Sequence, residues 1–476
     1  MLTTLFWLAL TAVGVFSAGH ALLNKLDPRA ALGWIVACLA VPGFGPLIYW
    51  VFGVNRIRIR ARDWQSRGEG LPWVDPEVCS WSADFSASLP FRQENFSALL
   101  SLSDHVTRRP LIPGNRIDIL HNGEQAYPRM LAAIREARET VHLSTYIFET
   151  NQRGRDFIAA LMEAAERGVE VRVLVDALGE HYSFPTARRL LRGSKVRVAQ
   201  FLPPSLPRHG IYFNLRNHRK LLIVDDLLGF TGGMNIGDRH LAARTDNPQR
   251  VIDIHFQVQG PVVAHLQEAF MEDWGFCTKE RLMMNRLPQP LEDGNAFCRG
   301  ISSGPNEDYE NLHWIIVGAL NSARKRICIM TPYFIPNRAL ISAINAAGLR
   351  GVKVDILLPS KNNLPFVAWA SEAYFWELVR YGINIYLMPP PFVHSKLLLV
   401  DDEFALIGSA NVDPRSIRLN FEFCLEVYSR PLVAELLAHC DEIIPRSHHL
   451  SLAEIDGRSL PRRLYTCFFK LFSPYL

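Results

Sequence analysis

Two stretches of the chain combine residue types that suit phosphate chemistry. Asn217-His218-Arg219-Lys220-Leu221-Leu222-Ile223-Val224-Asp225 recurs as Val393-His394-Ser395-Lys396-Leu397-Leu398-Leu399-Val400-Asp401, and both read His-x-Lys-x-x-x-x-Asp. A Gly-containing turn and an asparagine follow each copy: Asn235 after Gly232-Gly233-Met234, and Asn411 after Gly408-Ser409-Ala410. His, Lys, Asp and Asn all repeat at one offset of 176 residues. With 15 His, 9 Lys and 22 Asp in 476 residues, random placement predicts about 0.01 copies of the pattern. Two at constant offset indicate an internal duplication.

The spacing has a chemical consequence. Residues i and i+2 of an extended segment point to one face, so each copy sets an imidazole beside an ammonium. Two facing copies would place two histidines and two cations around one phosphate. Lys220 and Lys396, with nitrogens of Asn235 and Asn411, would neutralise the anionic oxygens that repel a nucleophile. One histidine attacks phosphorus and the other acts first as acid, then as base. This scheme calls for no metal and no cofactor, and no carboxylate cluster has metal-ligand spacing. Asp225 and Asp401 belong to the candidate catalytic set by motif, yet each lies beyond an apolar strand, where holding a turn suits it better.

A histidine in either role needs its other ring nitrogen fixed. Asp253-Ile254-His255-Phe256 and Asn420-Phe421-Glu422-Phe423 supply candidates. Aligning Phe256 with Phe423 sets Asp253 against Asn420 and His255 against Glu422. On that alignment Glu422 is assigned to His394, and Asp253 to His218.

The duplicated motif resembles that of the phospholipase D superfamily. Within it the chain is most similar to bacterial cardiolipin synthases, a resemblance that covers nearly its whole length. Thr331-Pro332-Tyr333-Phe334-Ile335-Pro336 resembles a segment common in those enzymes. The resemblance implies transfer of a phosphatidyl group between two phosphatidylglycerol molecules through a phosphohistidine, with His218 as nucleophile.

The elements that must position these groups are legible as an α/β pattern. In the first half, strand 141–148, helix 151–167 and strand 169–175 form a βαβ unit. A short helix at 185–191, a strand at 195–201 and the Pro-rich segment 202–208 lead to the first motif. The second half repeats the order with helix 308–323, strand 327–333, helix 338–347, strand 352–358, helix 366–380 and strand 383–387. Val169, Val171, Val173 and Val175 are mirrored by Val352, Val354, Ile356 and Leu358, and Gly168 by Gly351. The expected fold is a duplicated pair of phospholipase D-like α/β domains in pseudo-two-fold arrangement, with the site between them. The division is 1–62 membrane hairpin and basic flank, 63–113 irregular linker, 114–290 first domain, and 291–476 second domain with its tail.

Before these come two apolar runs, Thr4 to Leu23 and Ala30 to Val54, the second interrupted by Pro42, Gly43, Gly45 and Pro46. Each is long enough for a hydrocarbon core of about 30 Å. The first lacks the basic start and cleavage site of a signal peptide. The expectation is a transmembrane helical hairpin, with a single re-entrant anchor as the alternative. Arg56, Arg58, Arg60 and Arg62 follow at once, which sets the catalytic region on the cytoplasmic side of the cell membrane. The tail carries Arg462, Arg463 and Lys470 among apolar residues, and reads equally as a lipid-touching surface helix or a packed core helix.

Composition narrows the function. A net charge of +4 is too small for a general nucleic-acid binder, so a nuclease is disfavoured. Eight cysteines without paired spacing give no zinc or disulfide framework. The expected partners are phospholipid and membrane. A membrane-anchored phospholipase D, a synthase with another phosphatidyl donor or acceptor, and a non-catalytic lipid-binding scaffold are the alternatives. Both motifs are complete, which argues against the scaffold.

Overall fold

The computed structural model describes residues 2–25, 28–54, 96–202, 215–305 and 308–473. The chain divides into two compact units, Met1–Gly68 and Glu69–Leu476. The basic run Arg56 to Arg62, Trp64, Trp73 and Trp81, and residues 203–208 of the Pro-rich segment lie outside the described residues.

In the first unit, helix Leu2–Asn24 is 23 residues long, about 35 Å at the helical rise and enough to span a bilayer. The second apolar run is broken. It forms helix Pro28–Ala40, a short helix Phe44–Ile48 and a π-turn Tyr49–Gly53. Pro42 and Gly43 interrupt it, since proline lacks the amide a continuous helix needs and Gly43 takes a positive φ of 82°. Among the described residues one helix is therefore long and apolar enough to cross a membrane. The second run still packs on the first: the Trp50 indole donates to Ser17 Oγ at 2.9 Å, and His20 Nδ1 meets the Tyr49 hydroxyl at 2.7 Å.

The second unit is built on one continuous sheet. Its strands in chain order are β1 (Ile112–His121), β2 (Thr140–Thr145), β3 (Glu170–Asp176), β4 (Arg197–Phe201), β5 (Leu221–Val224), β6 (Leu228–Gly232), the two-residue β7 (Val251–Ile252) and β8 (Ile254–Gln259). The second half contributes β9 (Ala296–Ser303), β10 (Arg326–Met330), β11 (Lys353–Pro359), β12 (Asn384–Met388), the two-residue β13 (Phe392–Val393), β14 (Leu397–Val400), β15 (Phe404–Gly408), β16 (Glu422–Tyr428) and β17 (His448–His449). β7 and β13 form a separate two-stranded ribbon, and the spatial order of the other strands in the sheet is β17-β12-β11-β10-β14-β15-β16-β9-β1-β8-β6-β5-β2-β3-β4. Read outward from the antiparallel β1–β9 pair, the two sides have the same succession of strands, except that β17 adds an edge strand to the second half alone. The duplication is thus a pseudo-two-fold axis passing between β1 and β9.

Local chemistry repeats with the topology. Helices Gln152–Glu166 and Arg338–Leu349 begin at Asn151 and Asn337, whose side chains accept the backbone N–H of Gly154 and Leu340. Both end at a glycine with φ near 90°, Gly168 and Gly351. A Cβ at either would meet nothing within 4 Å, so backbone conformation, not space, selects glycine there. β5 and β14 are buried along their whole length, as strands covered on both faces must be.

Three cores result. One covers one sheet face of the first half, a second the corresponding face of the second half. The third is shared: Phe270 and Trp274 of helix Val263–Thr278 and Leu432 and Leu436 of helix Arg430–Ile443 belong to a single cluster.

Two sequence-based expectations need correction. The stretch read as irregular linker contains helix Ser97–Thr107, whose Leu99 and Leu100 enter the core of the second half. The 113/114 boundary falls inside β1, the strand that joins the halves. Its register slips between Ile112 and Asn115, and its burial does not alternate cleanly, so no period-2 signal marked it.

Candidate active site

His218 and His394 lie just before β5 and β14, where the chain leaves its own half and pairs with the other. The His218 amide donates to the Phe421 carbonyl at 2.8 Å, and the His394 amide to the Ile252 carbonyl at 2.7 Å. β13 extends this by pairing in parallel with β7. Each motif histidine is held by main chain of the opposite half.

The side chains cross in the same way. His394 Nδ1 meets Asp253 Oδ2 at 2.8 Å, and His218 Nδ1 stands 3.4 Å from Glu422 Oε1. The expected assignment of Glu422 to His394 and Asp253 to His218 is therefore reversed. Strand register gives the reason. Gly232 pairs with His255 and Gly408 with Cys424, so the true offset here is 169 residues and Asp253 corresponds to Glu422. Aligning the two phenylalanines misplaced the segment by two residues. It also placed each carboxylate with the wrong histidine, because a sequence does not show that the halves exchange partners.

Both carboxylates are buried and held. Glu422 accepts from Ser409 Oγ at 2.5 Å and from Asn420 Nδ2 at 3.2 Å. Gly233 stands where Ser409 stands in the other half; a Cβ there would come within 2.4 Å of Asp253 Oδ1, so glycine leaves that carboxylate room. Asp253 accepts the Ile254 amide instead, at 2.8 Å. Burial alone would raise both carboxyls, but His394 and Lys396 hold Asp253 well below the usual range, and His218 and Lys220 lower Glu422.

Lys220 and Lys396 are buried beneath the histidines. Lys220 Nζ donates to the His218 carbonyl at 2.6 Å and Lys396 Nζ to the His394 carbonyl, as the i, i+2 spacing requires. Burial lowers both, Lys396 to about 7, with Lys220 adding to the depression. Asp253 and Glu422 each pull both lysines upward, so the two motifs converge on one centre. His394 is lowered to about 4 by burial and by Lys396, whose Nζ is 2.9 Å from Nδ1, against the opposing pull of Asp253. His218 is lowered by burial, partly offset by Glu422. A carboxylate on Nδ1 calls for the proton there, which leaves Nε2 of each ring for chemistry.

Asp225 and Asp401 are not brought to this centre. Asp225 accepts the backbone N–H groups of Arg138, Glu139 and Thr140, and Asp401 those of Arg324, Lys325 and Arg326. Both have positive φ, 52° and 54°, so they turn the chain at the far end of β5 and β14 and clamp the entry to β2 and β10. Asn235 and Asn411 lie in the loops after β6 and β15. Asn235 Oδ1 accepts the Ile147 amide at 3.1 Å, and Asn411 Nδ2 donates to Ser416 Oγ at 3.2 Å. Loop contacts thus take up part of each amide's bonding capacity.

Three further residues at the centre were given no role by the sequence. The Tyr146 ring lies 4.2 Å from the His218 ring and beneath Lys220, 5.8 Å from Nζ. Tyr333, within the segment already singled out, lies 6.4 Å from the His394 ring. Arg219, the variable residue of the first motif, is fully buried and binds Asp273 at 3.0 Å, the Glu422 carbonyl at 3.3 Å and Ser302. It ties the first motif to the strand that carries its carboxylate. Among the described residues no cluster of three His, Cys, Asp or Glu is arranged to hold a metal ion.

Comparison with known proteins agrees with this geometry. Residues 130–274 and 316–444 match the family described as "Cardiolipin synthase, PLD-like domain", and residues 4–53 the one described as "Phospholipase_D-nuclease N-terminal". Cardiolipin synthase A of Pseudomonas putida is 32% identical over 467 residues, covering 98% of this chain and 96% of that protein. Cardiolipin synthase A of Pseudomonas syringae pv. syringae is 36% identical over 416 residues, covering 87% and 86%. Among solved structures, phosphatidylserine synthase of Haemophilus influenzae superposes with a TM-score of 0.63 at 16% identity, over 79% of this chain and 100% of that one; this likeness speaks for the fold. With paired motifs, crossed carboxylates and near full-length similarity, the chain belongs to the cardiolipin synthase family of the phospholipase D superfamily.

Proposed function

We propose that the protein transfers a phosphatidyl group between two phosphatidylglycerol molecules, releasing cardiolipin and glycerol. Membership of the family makes it a phosphatidyltransferase. The observation that carries the mechanism is the pair of imidazoles whose Nδ1 atoms each face a buried carboxylate, with a lysine beside each.

His218 Nε2, the nucleophile that the family resemblance implies, attacks phosphorus as the bond to the glycerol oxygen breaks. His394 supplies the proton that glycerol takes away. In the second step His394 removes the proton of the acceptor lipid's hydroxyl, whose oxygen attacks phosphorus and breaks the N–P bond. Lys220, Lys396 and the remaining N–H groups of Asn235 and Asn411 receive the phosphate oxygens. An anionic diester between the lysines offsets their depression of His394 and so keeps on the ring the proton it has to donate. Asp225 and Asp401 serve this reaction through the turns they hold.

The two duplicated halves, the first opening with β1 and the second with β9, are read as the two catalytic repeats, and 1–62 as a two-span anchor. On the positive-inside rule the catalytic unit faces the cytoplasm. Anchoring keeps the site at the bilayer surface, where lipid hydroxyls compete with water for the intermediate.

The test is purified protein with phosphatidylglycerol as sole lipid. Cardiolipin and free glycerol are expected in equal amounts, and added glycerol should drive the reaction back, since one phosphodiester is exchanged for another. Dominant phosphatidic acid would mean that water is the acceptor and would overturn the reading.

A further inference from the structure

Helix Leu460–Lys470 contains no acidic residue and carries a wholly apolar stripe on one face. Leu460, Leu464, Phe468 and Leu471 follow at i, i+4, i+8 and i+11, which aligns them along one stripe. In a soluble protein such a stripe turns inward. Here all four point outward, at 67%, 63%, 54% and 73% exposure.

The helix is nonetheless firmly seated, by its other side. Trp369 of helix Pro365–Val379 packs on Tyr465 and Phe469 at 4.7 and 4.9 Å, and Lys470 Nζ lies 4.2 Å from the Tyr374 ring. Arg462 pairs with Glu372 at 3.1 Å, Thr466 is buried, and the Tyr374 hydroxyl reaches Ser473 at 3.0 Å. The more polar side is spent on the protein and the apolar side offered outward, so neither fraying nor a missing core contact explains the exposure.

We propose that this stripe is a bilayer contact of the catalytic unit, lying in the interface of a membrane that contains anionic phospholipid. Charge selects lipid over a neutral apolar partner: Arg458, Arg462 and Arg463 cluster at the start of the helix, Arg458 and Arg462 share the one carboxylate of Glu372, and Arg463 is exposed beside the stripe. An apolar stripe flanked by basic residues is the pattern of a helix lying in the plane of a membrane.

Position gives the contact a purpose. Helix Pro365–Val379 starts two residues after Asn363, whose Oδ1 accepts from the Tyr333 hydroxyl at 2.8 Å, and Tyr333 adjoins His394. The helix that seats the stripe therefore begins next to residues that adjoin the second motif, which links the bilayer contact to the site through one element.

The inference rests on the proposed function only for the choice of phosphatidylglycerol as the anionic lipid, and its test does not read turnover. The full chain is reconstituted into phosphatidylcholine vesicles, with or without phosphatidylglycerol, carrying a photo-crosslinking phenylalanine analogue in place of Phe468. A control carries the analogue at Glu435, exposed on helix Arg430–Ile443, which packs on the opposite face of the sheet. Position 468 is expected to give a protein–phospholipid adduct, at least several-fold above position 435 and several-fold higher with phosphatidylglycerol present. Adducts to a second copy or to another segment of the same chain, or equal yields at both positions, would overturn it. A yield indifferent to phosphatidylglycerol would overturn the role given to the arginines.

Discussion

At the residue scale the crossed pairs assign separable jobs to Asp253 and Glu422. Asp253 supports the ring proposed as acid, and Glu422 the ring proposed as nucleophile. A leaving group that departs without a proton should tell them apart. With phosphatidylglycerol, Asp253→Asn and Glu422→Gln are both expected to lose about 10²- to 10⁴-fold in turnover, the usual worth of an oriented acid or base. With a p-nitrophenyl phosphodiester, Asp253→Asn should recover a burst of nitrophenol and Glu422→Gln should not. Equal bursts would dissolve the assignment. Lys396 adds a pH dependence. Its ammonium, lowered to about 7 by burial, is charged below that pH and neutral above it. Binding of the phosphate needs the charge, so kcat/KM should fall as pH rises through about 7. A flat alkaline side in the pH profile would show that Lys396 does not carry it.

At the scale of elements, the aspartates that complete the motif are turn clamps. Each accepts three amides where the chain enters a central strand. Asp225→Ala or Asp401→Ala should cost about 1–3 kcal/mol of stability, the range for stranded buried donors, while the protein that stays folded keeps most of its turnover. Thermal unfolding measured beside specific activity checks this, and a stable but inactive variant would return the aspartates to the chemistry. This division also shows what the sequence could carry. Repeated valines, helix-ending glycines and the motif spacing are local, and they identified the strands and helices around both histidines. Helix Val263–Thr278 left no such mark. It is buried nearly all round, including Glu268, Glu272 and Asp273, so no amphipathic stripe exists to be read. The pairing of Asp253 with His394 joins residues 141 positions apart, and only strand register across β6–β8 and β15–β16 determines it.

At the scale of the whole molecule, the sheet is continuous through β1 and β9, and the third core draws on both halves. The catalytic unit therefore does not consist of two lobes that could open independently around the lipid. The site is therefore assembled before substrate arrives, and Lys220 already adds to the depression of Lys396 before any phosphate is bound. That strain is relieved when an anion binds, which favours phosphodiester over neutral lipid.

The exchange of partners across the pseudo-two-fold axis also bears on descent. Neither half holds a complete set: the first has His218 without its carboxylate, the second His394 without its own. A precursor with a single copy of the repeat would have gained a working centre only by self-association, each protomer lending its acid to the other's histidine. Fusion of two such copies turned an encounter that depends on concentration into an intramolecular one. It also freed the two sides to diverge, as glutamate and serine on one and aspartate and glycine on the other now record.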